Sequence, residues 1–88
     1  MAKERILVVE DEEDILELVE YNLRKNRYDV ISVANGEDAL AAARRKGPDL
    51  IVLDIMLPGI DGLDVCRILK NDPQTAHIPI VMLTAKGE

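Results

Sequence analysis

Glu10, Asp11, Asp54 and Thr84 are the residues whose types and positions could do chemistry. Each group directly follows an apolar run: "ILVV" before Glu10-Asp11, "LIVL" before Asp54 and "IVML" before Thr84. Brought to one place, three carboxylates and a hydroxyl make an oxygen-rich anionic site. Converging carboxylates repel, so without a counter-ion at least one of them should hold its proton more tightly than usual. A hard divalent cation relieves that conflict. Mg2+ prefers oxygen ligands and keeps several waters, so carboxylates plus a backbone carbonyl suit it. Alone, Glu10-Asp11 reads equally as a solvated acidic turn ahead of a helix. The matching placement of Asp54 and Thr84 is what argues for a site.

That argument needs strands that aim these residues. Ile6–Val9 is a continuous apolar run rich in β-branched residues, the pattern of a strand buried on both faces of a parallel sheet. In "EDEEDILELVEYNLRKN", Ile15, Leu16, Leu18, Val19 and Leu23 recur at helical spacing, with acids early and Arg24, Lys25 and Arg27 late, as the helix dipole favours. Asp29–Ala34 alternates as an edge strand would. Asn35 is placed to cap an Ala-rich helix over Glu37–Lys46, which Gly47-Pro48 ends. Leu50–Leu53 is a second fully apolar strand, Pro58-Gly59 a turn, and Asp61 a cap for a helix that buries Leu63, Cys66 and Leu69. Asn71-Asp72-Pro73 stops that helix, and Ile78–Leu83 is a fourth strand. Alternating βαβαβαβ elements predict an α/β fold of parallel strands with right-handed crossovers, one domain over residues 1–88. In open sheets of this kind ligands gather at the carboxyl ends of strands. If the first and third strands are neighbours, all four residues meet at one edge.

Composition excludes other classes. The net charge of −6 disfavours direct contact with nucleic acid or anionic lipid, and the absence of Phe and Trp removes a base-stacking platform. No stretch approaches the ~20 apolar residues of a membrane span, and the single Cys66 has no internal disulfide partner; both fit a reducing cytoplasm. Cys66 reads as a small buried hydrophobe, His77 as a loop residue at the start of the fourth strand, and Met82 as packing.

Taken in order, "ILVVEDE", "PDLIVLDIMLPGIDGLDVCRILK" and "IPIVMLTAKGE" resemble response-regulator receiver domains of two-component signalling. "EDEEDILELVEYNL" is similar to receivers of winged-helix transcription regulators. The resemblance implies a flavodoxin-like parallel sheet and a phosphoacceptor role without enzymatic turnover. Asp54 would accept the phosphoryl group, and the donor would be a sensor histidine kinase or a small acyl phosphate. Mg2+ would be held by Asp11 directly, by Glu10 through water, by Asp54, and by the backbone carbonyl of Met56. Thr84 would be the switch hydroxyl, and Ala85 would approach the phosphoryl group through its N–H.

The chain departs from the family by stopping after its fourth strand. About three helices are expected, and the fifth βα unit is absent with its lysine, its aromatic switch residue and the output face. Lys86 lies too early to replace that lysine. A truncated receiver with impaired or absent output follows. Its fourth strand would be a long apolar edge, and the apolar side of its first helix would lack a neighbour; both favour a homo-oligomer, most simply a dimer through strand four. Two alternatives remain. One is a structural or engineered α/β fragment that self-associates without signalling. The other is a metal-dependent phosphatase like the haloacid dehalogenases, disfavoured because Met56 stands where a second acid is needed.

Overall fold

A computed structural model describes residues 3–83. The elements run β1 (Arg5–Val9), α1 (Glu13–Lys25), β2 (Asp29–Val33), α2 (Gly36–Lys46), β3 (Leu50–Asp54), α3 (Gly62–Asn71) and β4 (Ile80–Leu83). The four strands form one parallel sheet in the order β2-β1-β3-β4. The two continuous apolar runs, β1 and β3, lie at its centre. There both strand faces are covered, and alternation with polar residues would be costly.

Successive strand residues point to opposite faces. Leu7, Val9, Ile51 and Leu53 face one way and pack with Ala39 and Ala43 of α2 and Val65 and Leu69 of α3. Ile6 and Val8 face the other way, toward α1, and are also buried. Full burial of each such aliphatic side chain contributes roughly 1.5–3 kcal/mol. The small Ala39 and Ala43 let α2 approach the sheet closely, which explains an Ala-rich helix at this position.

The caps are as the sequence predicts. The Asn35 side chain accepts the Asp38 N–H at 2.8 Å, and the Asp61 side chain accepts the Asp64 N–H at 2.9 Å. Gly47 ends α2 in the left-handed region, φ 57°. Asp72 ends α3, and the buried Thr75 hydroxyl donates to the Leu69 carbonyl at 2.7 Å.

Four expectations need correction. Strand four begins at Ile80, not Ile78, because Ile78 closes a turn by donating its N–H to Thr75 and Pro79 has no N–H to give the ladder. The resulting edge strand is therefore short, four residues, and not long. Leu63 is 60% exposed, because the buried stripe of α3 runs through Gly62, Val65 and Leu69. Cys66 is half-buried at the margin of that stripe. Helix α1, whose apolar side was expected to lack a neighbour, indeed buries no residue fully: Leu16, Val19 and Leu23 are half-covered, and Ile15 and Leu18 are exposed.

Candidate functional site

Register builds the site. β1 and β3 are adjacent and parallel with Val9 opposite Leu53, so the next residues along, Glu10 and Asp54, emerge side by side. Backbone bonds hold both strand ends. The Glu10 N–H donates to the Val33 carbonyl at 3.1 Å and the Ile55 N–H to the Leu83 carbonyl at 3.3 Å. Carboxylate oxygens of Glu10, Asp11 and Asp54 all lie within 4.8 Å of one another. Glu10 and Asp54 are buried and Asp11 is exposed, so the cluster opens to solvent on the Asp11 side.

The expected proton affinity falls on Glu10, whose pKa is raised. Burial is the largest cause, and the Glu12 N–H, donated to Glu10 Oε2 at 3.0 Å, opposes it. The charge of Asp54, a hydrogen bond with the Asp54 carboxyl and the charge of Asp11 add to the rise. Desolvation is thus the largest single influence, ahead of the neighbouring charges on which the sequence argument rests. The donor set is oxygen alone, with two members buried, which fits a hard divalent cation and not a soft one.

Asp54 is oriented by the loop that follows. Asp54 Oδ1 accepts the Met56 N–H at 3.1 Å, while the Met56 side chain is 64% exposed. What bonds the carboxylate is therefore the Met56 amide. Buried Leu57 anchors the loop, and Ile55 O accepts the N–H groups of Leu57 at 3.3 Å and Gly62 at 2.9 Å. Thr84 and Ala85 lie outside the described residues. Sequence reasoning missed two groups: the Met56 N–H, which carries no side-chain signal, and Gly62. A glycine in the first turn of a helix is a poor helix former and was the available clue.

The described residues contain no helix long and apolar enough to cross a membrane. Residues 6–88 match the family model described as response regulator receiver domain. The alkaline phosphatase synthesis transcriptional regulatory protein PhoP of Bacillus subtilis is 54% identical over 84 residues, covering 96% of this chain and 34% of the relative. The chain thus spans about a third of that relative's length. A putative response regulator from Chloroflexus aurantiacus superposes with TM-score 0.94 at 38% identity, over 99% of this chain and 71% of that one. The receiver domain of a sensor histidine kinase from Pseudomonas aeruginosa, with a magnesium ion coordinated in its active-site cleft, superposes with TM-score 0.92 at 35% identity, over 97% of this chain and 70% of that one.

Proposed function

The chain belongs to the response regulator receiver domain family, and from that premise we propose that it accepts one phosphoryl group on Asp54 in a Mg2+-dependent reaction. The observation that carries the reading is the convergence of the Glu10, Asp11 and Asp54 carboxylates within 4.8 Å at the carboxyl end of the sheet. Asp54 attacks phosphorus through one carboxylate oxygen. The P–N bond of a phosphohistidine on a sensor kinase, or the P–O bond of a small acyl phosphate, breaks as the new O–P bond forms. The leaving group keeps the bonding pair. The Met56 N–H on Oδ1 orients the carboxylate so that its other oxygen is free to react.

Asp11 and Asp54 would hold the cation directly, Glu10 through water, and Met56 through its carbonyl. When bound, the cation offsets the repulsion between an anionic nucleophile and an anionic donor. Thr84 and Ala85 would meet the phosphoryl oxygens. We propose one acceptance event per chain, without turnover of external substrates, in a cytoplasmic setting and without direct nucleic-acid contact.

Intact mass after incubation with Mg2+ and a small acyl phosphate tests the reading. The parent should gain one phosphoryl group, and Asp54→Asn or excess EDTA should prevent it. Equal labelling of parent and Asp54→Asn would overturn the assignment.

We also propose that this chain self-associates. Among the described residues β4 pairs only with β3, and Val81 is 48% exposed on the sheet face shared with Val52. Leu18 of α1 is 62% exposed. Pairing of two such edges would satisfy the open edge of β4 and shield Val81, and the bare side of α1 offers a second apolar surface. A monomeric mass in solution at tens of micromolar would exclude it.

A further inference from the structure

We infer that Gly62 is a positioning residue for Asp54: α3 begins directly against the Asp54–Ile55 peptide, and only a residue without a Cβ leaves that peptide in place. A Cβ built at Gly62 would lie 2.2 Å from the Asp54 carbonyl oxygen, 2.7 Å from Ile55 Cα and 2.9 Å from the Asp54 carbonyl carbon. All three are backbone atoms, so no side chain can swing away to make room. The need is for space and not for conformation, since the positive-φ glycines are Gly47 and Gly59. The Gly62 N–H also donates to the Ile55 carbonyl at 2.9 Å, which ties the start of α3 to the same segment. On the other side the Ile55 N–H is held by Leu83 of β4. The peptide that carries the reactive carboxylate is therefore clamped between a helix start and a strand end. A methyl group at position 62 displaces it, drawing Asp54 from Glu10 and Asp11 and the Met56 N–H from Oδ1.

The chemical consequence rests on the phosphoacceptor reading above, but the positioning itself does not. The test compares the parent with Gly62→Ala and, as a control for plain destabilisation, Gly47→Ala. Position 47 lies at the far end of β3 with φ +57° and nothing within 4 Å of an added Cβ, so that variant strains the backbone without touching the site. Three quantities are measured on folded protein: the Met56 amide and Asp54 carboxyl-carbon resonances, the dissociation constant for Mg2+ alone, and the rate of phosphoryl gain from an acyl phosphate. In Gly62→Ala both resonances should move, Mg2+ should bind on the order of 10- to 100-fold more weakly, and the rate should fall up to roughly 100-fold. Gly47→Ala should keep the parent's resonances and affinity whatever melting temperature it loses.

A folded Gly62→Ala with parent resonances and affinity overturns the inference, and so do equal losses in Gly47→Ala. If Gly62→Ala does not fold, Mg2+ titration of the parent decides. The Gly62 amide must then move with the same dissociation constant as Asp54 and Met56, and a stationary Gly62 amide overturns the inference. A parent that binds Mg2+ but takes no phosphoryl group removes the phosphoacceptor reading, while the resonances still decide the role of Gly62.

Discussion

Glu10 sits buried between a backbone amide that favours its charge and two carboxylates that oppose it. Because its pKa is raised, the folded chain holds this proton more tightly than the unfolded chain does. Metal-free stability should therefore fall as pH rises from the ordinary carboxylate range through the raised value. Glu10→Gln keeps an acceptor for the Glu12 N–H but removes the charge. In EDTA at neutral pH its melting temperature is expected to exceed the parent's, and the stabilisation that Mg2+ confers should shrink; scanning calorimetry with and without metal checks both. Asp72 works in the opposite sense. The Gln74 N–H first, then the Arg44 guanidinium at 3.0 Å, hold its pKa below the usual value. Its contribution is present above the unfolded value and is lost as pH falls through the folded one. Asp72→Asn should therefore lower stability at neutral pH and change it little at low pH, which flattens the acid limb of the curve.

At the scale of elements, the helix ends differ. α2 and α3 carry side-chain caps, whereas Glu12 at the start of α1 makes none. Asn35→Ala should cost about 1 kcal/mol, read from chemical denaturation. The far end of α1 holds Arg27 at φ 73°, a conformation that disfavours any residue with a Cβ. Arg27→Gly relieves that strain and loses only backbone entropy, so a gain of up to about 1 kcal/mol is expected. An unchanged or lowered denaturation midpoint would show that Arg27 contributes more through its side chain than its backbone costs. Caps were legible in the sequence because each is a local choice of residue type. The start of β4 was not, because it depends on where the Ile78 N–H goes, and its partner is Thr75 in a preceding turn.

At the scale of the whole molecule, the described residues share one core, built without Phe or Trp. Small α/β domains bury a modest fraction of their surface, and net stability is roughly 5–15 kcal/mol. Leu53→Ala, at a fully buried position in the central strand, should cost about 2–5 kcal/mol and leave the chain largely unfolded on warming. The uneven covering of the two sheet faces bears on assembly. The face packed by α2 and α3 is closed over β1 and β3, while Val81, Ile15 and Leu18 stay exposed on the other side. Val81→Lys and Leu18→Glu are expected to shift the proposed self-association toward monomer in sedimentation measurements with little loss of melting temperature.

The alternation of elements, the parallel sheet, the caps and the acidic residues behind strand ends were determined by the sequence itself. They follow from hydrophobic period, turn chemistry and residue type, each of which acts over a few neighbouring residues. Which strands lie side by side was left conditional, and the tertiary structure decided it by pairing β1 with β3, bringing Glu10 and Asp54 together across 44 positions of chain. Only packing could show that burial is the largest single influence on Glu10, and that α3 starts directly against the Asp54–Ile55 peptide at Gly62. Those outcomes depend on which atoms fill the space beside each group, and a sequence pattern carries the period of a face but not what covers it.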